Sequence, residues 1–454
     1  MLAIESILVL VLHVSEGADV PSAIAQTTPP VDIETGWQIP SEGYCDQPYV
    51  VKLKDRTWLC VMTTGKGLEG SRGQHVVATR SSDKGRTWSL LVDIEPADGP
   101  EASWAMPFLT PGGRVYVFYT YNAHNMREVI ADTAYARRRV DTLGEYAFKY
   151  SDDGGRTWSK DRWYIPVRET AIDRRNPYQG RVRFFWGVGK PITHNGAMYL
   201  GFAKVGKFGE GFIVESESWF LKSDNILTEA DPQKLHWETL PESDHGLRSP
   251  EGPIAEEVNL VSLSDASLFC TYRTIAGHPC HAYSRDAGKS STPAAFMTYR
   301  PGGPKVNHPR AANFVRKLTE GPYAGRYIYW FHNHNGRGYE GRNPAYLLGG
   351  VEHDSPQDKV IHWGEPIAVL YAKDPKVRIS YPDFIWDDGL YITETQKTTA
   401  RVHAVPGALL RSLWVEGNAP ATSNKAMYGD EEWRAERVIP RASGERFEPP
   451  TSGL

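Results

Sequence analysis

Cysteine and metal-binding motifs are scarce in this chain. Only four cysteines occur among 454 residues, and neither a CxxC nor an HExxH motif is present. We therefore expect no cysteine-based or zincin-type metal site. Cys270 and Cys280 flank the turn at residues 273–277 and could pair across a hairpin, which an exported protein would permit. Free buried thiols are the alternative for these two and for Cys45 and Cys60.

A large charge excess and long apolar runs are also missing. The 51 basic and 55 acidic residues give a net charge of −4, so nothing favours nucleic acid or an anionic membrane as a partner. The one apolar run, residues 7–12, is too short to span a bilayer. The small residues at 23–25 follow it, which predicts a signal peptide over 1–25 and a secreted or periplasmic protein. No Lys or Arg precedes the run, so a misplaced start is the alternative.

Beyond this leader, no segment shows a sustained helical period. Aromatic residues make up 11% of the chain, and glycine and proline number 42 and 32, which is typical of short strands joined by tight turns. Apolar or alternating segments recur between about residues 44 and 405, and six such units can be counted. The sequence therefore predicts an all-β fold built by repetition.

One short motif is repeated within these units. Residues 81–88 (SSDKGRTW) and 151–158 (SDDGGRTW) both match S-x-D-x-G-x-T-W, and 284–291 keeps its Ser, Asp and Gly. In such a turn the Asp accepts backbone N–H bonds, the Gly takes a conformation that other residues avoid, and the Trp packs beneath. We assign the motif a structural role. Radial repetition of small antiparallel sheets is a β-propeller.

The two complete motifs resemble those of the Asp-box, or BNR-repeat, propellers, which include sialidases and several polysaccharide lyases. The chain is also similar to the L-rhamnose-α-1,4-D-glucuronate lyases and, more distantly, to ulvan lyases. The stretches that carry this second resemblance are residues 43–49, 98–103, 248–252, 331–335, 379–383 and 393–397. The resemblance implies a sialidase-like β-propeller. The lyases have seven blades, the number we favour, whereas Asp-box sialidases have six.

Four segments are expected along the chain. They are the signal peptide at 1–25, an unstructured lead-in at 26–40, the catalytic propeller at 41–414 and a polar tail at 415–454. We expect a monomer without stable membrane insertion.

Cleavage at a uronate by β-elimination needs a cation for the carboxylate, a base for the C5 proton and an acid for the leaving oxygen, with no cofactor. The lyase resemblance implies that His124 is the base, the acid or both; a surface histidine is the alternative. A partner histidine is missing, because Trp104 occupies the corresponding position, so His75 is the substitute. Tyr178 and Tyr381 are further candidates, as proton donors or sugar-stacking rings.

Arginines are expected to hold the substrate carboxylate, since a guanidinium matches its two oxygens. Arg183, Arg248 and Arg342 fall in separate units and could meet at the axis, with Arg273 and Arg378 in reserve. Ion pairs with nearby carboxylates are the alternative. Further candidate substrate-binding residues are Asp46, Glu251 and Asp383.

The favoured function is a secreted lyase that acts on an acidic oligo- or polysaccharide. The nearest rival is an exo-α-sialidase, in which Tyr381 with Glu256 or Glu257 would form the nucleophile pair and Asp46 would be the acid. Against it, the Arg-Ile-Pro motif usual in sialidases is absent near the first blade, where residues 46–48 read Asp-Gln-Pro. Two other rivals are a glycosidase with paired carboxylates among Glu101, Glu251, Asp383 and Glu394, and a glycan-binding propeller without activity.

No metal is expected in catalysis. His332 and His334 alternate along a predicted strand and could meet at a structural divalent cation, although a merely polar inner face would also explain them.

Overall fold

The computed structural model describes residues 26, 28–210, 212–356 and 358–414 of the chain. The fold is nearly all β, with 42% strand and 5% helix. The predicted signal peptide at 1–25 and the polar tail at 415–454 lie outside the described residues. Within them, no helix is long and apolar enough to cross a membrane.

The strands are grouped into sheet units, which we number 1 to 6 along the chain. Strands β1 (Val31–Asp32) and β2 (Trp37–Ile39) come first, separated by the 3-10 turn Ile33–Thr35. Unit 1 contains β3 (Tyr44–Lys52), β4 (Trp58–Gly65), β5 (His75–Ser81) and β6 (Val92–Asp93). Unit 2 contains β7 (Ala102–Leu109), β8 (Val115–Tyr121), β9 (Leu143–Ser151) and β10 (Trp163–Tyr164), with helix α1 (Ala134–Arg137) between β8 and β9.

Units 2 and 3 are joined into one sheet. Helix α2 (Ala171–Arg174) precedes β11 (Arg183–Trp186), which pairs with both β9 and a strand of unit 3. Unit 3 contains β12 (Ile192–His194), β13 (Ala197–Gly209), β14 (Phe212–Ser223) and β15 (Glu238–Leu240), with a 3-10 turn at Pro232–Lys234.

The last three units complete the ring. Unit 4 contains β16 (Glu256–Ser262), β17 (Leu268–Arg273), β18 (Cys280–Ser284) and β19 (Ala295–Phe296). Unit 5 contains β20 (Phe314–Lys317), β21 (Tyr327–Phe331) and β22 (Ala345–Asp354), and both β23 (Lys359–Trp363) and β24 (Ile367–Tyr371) pair with β22. Unit 6 contains β25 (Ser380–Trp386), β26 (Leu390–Thr395) and β27 (Ala400–Ala404), followed by helix α3 (Gly407–Ser412).

The two ends of the described chain close the ring. Strand β2 pairs with β27 as the fourth strand of unit 6, with Trp37 opposite Val402, and β1 pairs with β24 of unit 5. The expected unstructured lead-in at 26–40 is therefore corrected, because residues 31–39 contribute strands to two sheets. The strand pairing of the described residues gives six units, the alternative to the seven that we favoured.

All three copies of the repeated motif form the same turn, after the third strand of units 1, 2 and 4. In each copy, the glycine N–H donates to the first serine's Oγ at 2.8 Å, and the aspartate accepts from the backbone four residues onward at 2.9 to 3.0 Å. The glycines Gly85, Gly155 and Gly288 have φ between +80° and +88°, which explains their presence. The structural role predicted for the motif is confirmed, and its third copy needs no Trp.

Apolar side chains pack between neighbouring units. Val61 and Val76 of unit 1, for example, belong to one buried cluster with Ala105 and Val117 of unit 2. All four cysteines are buried and free, which is the second of the two outcomes considered for them.

A buried carboxylate ties four units together at the axis. Asp383 of β25 is fully buried, and its Oδ2 accepts from the Val50 N–H at 2.8 Å and from Lys190 Nζ at 2.7 Å. Its Oδ1 accepts from Arg316 of β20 at 3.2 Å. Burial opposes ionisation, but Lys190 and Arg316 hold the pKa of Asp383 below its usual value. The expected substrate role of Asp383 is thus corrected to a structural one, since its oxygens are already occupied.

Removing the charge of Asp383 should weaken the ring. We expect Asp383→Asn to lower the free energy of unfolding by about 3 kcal/mol or more, because two buried cations lose their shared anion. Urea unfolding measures this. Asp388→Asn is the matched control, since Asp388 is 69% exposed in its pairs with Arg56 and Lys84, and it should change the midpoint far less. Equal effects would contradict the structural role of Asp383.

Candidate active site

Four innermost strands carry the same local distortion near their first residues. Strands β3, β7, β16 and β25 each contain a β-bulge, seen as a register shift. Within each bulge one non-glycine residue has a positive φ: Gln47 (54°), Trp104 (68°), Glu257 (58°) and Tyr381 (49°). Such conformations cost energy and redirect a side chain, so their repetition in four units marks this end of the axis as a functional site.

Two of these residues form a hydrogen-bonded pair. Tyr381 Oη donates to Glu257 Oε1 at 2.8 Å, and Trp186 Nε1 donates to the same oxygen at 3.1 Å. Arg273 Nη1 lies 2.8 Å from the other oxygen, Oε2, which nevertheless has no aligned hydrogen-bond donor. Trp186 also packs against Trp104 with ring centroids 4.2 Å apart. The bulges of units 2, 4 and 6 therefore meet around one carboxylate.

The surroundings of the pair fix its protonation. Burial raises the pKa of Glu257, although Arg273 opposes the shift. Burial, and then the charge of Glu257, raise the pKa of Tyr381 well above its usual value. At neutral pH the tyrosine thus keeps its proton and points it at a neighbouring base. A hydroxyl beside a base is the arrangement of an activated nucleophile.

Arginines surround this pair, and one of them lacks a counterion. Glu256 accepts from Arg273 Nε at 2.9 Å and from Arg310 Nη2 at 3.1 Å. Arg342 is 2% exposed and donates only to uncharged oxygens, those of Ser380 Oγ (2.9 Å) and of the Tyr339 and Arg310 carbonyls (3.0 and 2.8 Å).

Within the described part of the chain Arg342 forms no ion pair with a carboxylate. Burial and the nearby Arg378 lower the pKa of Arg342 to about 10. A buried guanidinium without an anion is costly, and an anionic ligand would relieve that cost.

An aromatic ring stands among the arginines. The guanidinium carbons of Arg273, Arg310, Arg342 and Arg378 lie 4.9 to 6.0 Å from the centroid of Tyr339. The negative face of the ring attracts these cations and partly offsets their mutual repulsion. Tyr339 therefore marks the centre of the arginine cluster.

Two acids lie on the other side of Tyr381. Lys397 Nζ pairs with Asp46 Oδ2, lies 3.3 Å from Glu69 Oε2, and stands 4.8 Å from the Tyr381 ring centroid. Burial raises the pKa of Asp46. Burial would raise that of Glu69 too, but Lys397 and Arg139 bring it to about 2. We call Asp46 and Glu69 the acidic pair; their environments drive their pKa values apart.

The structure thus brings together three residues of the main prediction, Tyr381, Arg342 and Asp46, and both reserve arginines, Arg273 and Arg378. Asp46 occupies the strand position at which the sialidase comparison expected an arginine, and it interacts with Lys397 and the Tyr44 hydroxyl (3.0 Å). Glu257, considered as the partner of Tyr381, is that partner.

Three other predicted catalytic residues lie outside this cluster. His124 is exposed in the turn after β8. His75 is buried in β5, with Nδ1 2.9 Å from the Gly73 carbonyl oxygen. The Tyr178 hydroxyl accepts the Ile130 N–H at 2.9 Å. Among the described residues, none of the three forms a hydrogen bond or ion pair with this cluster, so we leave them out of the site.

The remaining predicted substrate-binding residues also have other surroundings. Arg183 pairs with Glu145 at 2.8 Å and Arg248 with Glu217 at 2.6 Å, the ion pairs considered as their alternative. Glu251 is exposed.

The histidines proposed for a cation differ in their surroundings. His332 is buried and His334 exposed, and no cluster of three or more metal-ligating side chains occurs among the described residues.

Sequence reasoning missed Arg310, Tyr339, Glu69 and Lys397. Arg310, Tyr339 and Glu69 lie in connections between strands and Lys397 directly after β26, where no periodic pattern singles them out. Glycines beside Tyr339, at 336, 338 and 341, were the one available signal of an unusual loop.

Comparison with known proteins identifies similar folds. No protein-family model and no curated protein matches the chain. Among solved structures, the Hadza microbial sialidase Hz136 is 14% identical with a TM-score of 0.54, over 80% of this chain and 66% of that one. The intramolecular trans-sialidase from Ruminococcus gnavus is 12% identical with a TM-score of 0.56, over 85% and 98%. The NanB sialidase from Streptococcus pneumoniae is 12% identical, with a TM-score of 0.54, over 81% and 69%.

The fold is that of a sialidase-like β-propeller. At this level of identity the likeness concerns the fold, and chemistry has to be argued from the site itself.

The charge arrangement predicts a difference between two buried substitutions. Glu256→Gln should lower the free energy of unfolding by about 3 kcal/mol, because Arg310 loses its carboxylate and Arg273 keeps only Glu257. Arg342→Gln should cost less, since it removes a charge that has no counterion. Urea unfolding of both variants tests this ranking, and the reverse order would show that Arg342 is a structural residue.

Proposed function

We propose that this chain is an exported glycoside hydrolase of the sialidase kind, which cleaves a terminal anionic sugar with Tyr381 as nucleophile. The observation that carries the proposal is the 2.8 Å hydrogen bond from Tyr381 Oη to Glu257, close to the uncompensated Arg342. Sialidases differ from most glycosidases in using a tyrosine nucleophile.

The reaction would proceed in two displacements. Glu257 removes the Tyr381 proton while Oη bonds to the anomeric carbon, and the glycosidic oxygen leaves with a proton from an acid. Water then attacks the anomeric carbon of the glycosyl-tyrosine and gives its proton to that acid, while the bond to Oη breaks and Glu257 returns its proton to the Tyr381 oxygen. A neutral tyrosine suits an anionic sugar, because an ionised carboxylate nucleophile would repel it. Asp46 is our proton donor, since burial raises its pKa and Lys397 places the acidic pair beside Tyr381.

The charge balance favours an anionic substrate. With Asp46 protonated as the proton donor, the site's six cations exceed its four ionised carboxylates; they are Arg139, Arg273, Arg310, Arg342, Arg378 and Lys397, against Glu69, Asp141, Glu256 and Glu257. Arg342 and Arg378 would hold the substrate carboxylate. A sialic acid or a terminal uronic acid fits this requirement.

The lyase reading ranks below hydrolysis. Its expected base, His124, is exposed, and two of its three arginines are paired with other carboxylates. Incubation with α-sialosides and glucuronosides separates the readings. Hydrolysis releases reducing sugar without the ultraviolet absorbance of an unsaturated uronate, elimination produces that absorbance, and binding without either signal identifies a glycan-binding propeller.

Loss of the nucleophile should abolish turnover. We expect Tyr381→Phe to lower kcat by about 10³-fold or more while substrate binding is largely kept. Tyr199→Phe is the matched control, because its buried hydroxyl donates to the Ala287 carbonyl (3.1 Å), in the third repeated turn. A Tyr381→Phe variant with near-normal rates would remove Tyr381 from the mechanism.

The pH dependence follows from three shifted groups. The base Glu257 must be ionised, so kcat/KM should fall at acid pH through a pKa above the usual 4.5 of a glutamate. The acid Asp46 must be protonated, so kcat/KM should fall again as the pH rises through the pKa of Asp46, which burial raises. Loss of the Arg342 proton, with a pKa of about 10, should lower kcat/KM further. A profile that instead rises to a plateau at high pH would indicate an ionised Tyr381 that acts without Glu257.

A further inference from the structure

A second concave site lies at the other end of the axis. A cavity of about 330 Å³ is formed by the last residues of several innermost strands. Its walls are residues 50–52, 107–109, 190–191, 193, 316–320 and 384–386. Along β3, Asp46 of the candidate active site and Lys52 of this cavity are six residues apart, or about 20 Å at about 3.3 Å per residue. The two sites are therefore separate.

Positive charge dominates the lining of this cavity. Four cations line it, Lys52, Lys190, Arg316 and Lys317, against one carboxylate, Glu320. Lys52 pairs with Glu320 at 2.7 Å, and Lys317 Nζ lies 3.7 Å from Glu352, outside the lining.

Lys190 and Arg316 have to share a single anion, the buried Asp383, at 2.7 and 3.2 Å. Two cations on one carboxylate leave one positive charge uncompensated.

Arg316 is the incompletely bonded member of the group. Its Nη2 donates to Asp383, whereas its buried Nε has no hydrogen-bond partner among the described residues. A buried N–H without an acceptor costs free energy. Burial also lowers the pKa of Lys190, so its positive charge is held there at a cost. An oxyanion in the cavity would compensate the positive charge that Lys190 and Arg316 share.

Much of the remaining wall is apolar, apart from Thr193 and Thr319. Pro107, Phe108, Leu109, Phe384 and Trp386 line the cavity around these cations. Apolar walls with a few placed charges, at this volume, are typical of small-molecule sites. We propose that this cavity binds a small molecule with one carboxylate group on an apolar, ring-shaped body. This inference is independent of the proposed catalytic function.

Benzoate is the probe for this site, and benzyl alcohol is its uncharged counterpart. Equilibrium dialysis with the purified chain should show saturable binding of one benzoate, with benzyl alcohol at least about tenfold weaker. The absence of saturable benzoate binding, or equal binding of the two compounds, would overturn the proposal.

Variants locate the bound probe. Thr193 is exposed at the cavity and contacts none of the Asp383 network, so Thr193→Glu should weaken benzoate binding at least about tenfold and Thr193→Gln should not. Arg342→Gln, at the opposite end of the axis, should bind benzoate normally. Binding that survives Thr193→Glu, or that is lost in Arg342→Gln, would place benzoate elsewhere and contradict the proposal.

Discussion

The charged side chains on the axis of this propeller interact with residues of other sheets. Asp383 of unit 6 is neutralised by Lys190 of the chain before β12 and by Arg316 of unit 5. Near the other end, Glu257 of unit 4 accepts a hydrogen bond from Tyr381 of unit 6. Because a buried charge without a partner is strongly destabilising, each pairing also fixes the position of the sheets that supply it. The contacts that close the ring therefore also assemble the active site.

At both ends of the axis, the buried positive charges are incompletely compensated. Among the described residues, Arg342 forms no ion pair with a carboxylate, and the Arg316 Nε has no acceptor. Elsewhere the chain completes such pairs, as between Lys204 and Asp173, which are both buried. Arg316 lines a cavity, and an anionic ligand beside either arginine would supply compensating negative charge. We therefore interpret them as binding features, and the completed pairs as structural ones.

The fold could be predicted from sequence more fully than the site. The repeated motif acts through contacts within eight residues, so the local sequences at 81–88 and 151–158 are enough to predict their turns. The Tyr381–Glu257 pair was part of a rival interpretation of the sequence. The sequence does not distinguish Arg183 and Arg248, which lie outside the site, from Arg273 and Arg310, which lie within it. The bulged start of each innermost strand shows where the site is, and this feature is seen only in the structure. A positive φ at Gln47, Glu257 or Tyr381 has no sequence signature, because these residues rarely adopt it. The strand at 37–39 was missed since its partner, β27, is more than 360 residues away.

The central claim is that Tyr381 forms a bond with the sugar. The most direct measurement uses an activated, 3-fluorinated form of an anionic sugar that the enzyme hydrolyses. The fluorine slows release of the glycosyl group from the enzyme, and mass spectrometry of the enzyme's peptides then shows where the group is attached. The account predicts one added glycosyl group on the peptide that contains Tyr381, and none on that peptide in Tyr381→Phe. Attachment to Glu257 or another carboxylate, or turnover with no labelled peptide at all, would contradict it.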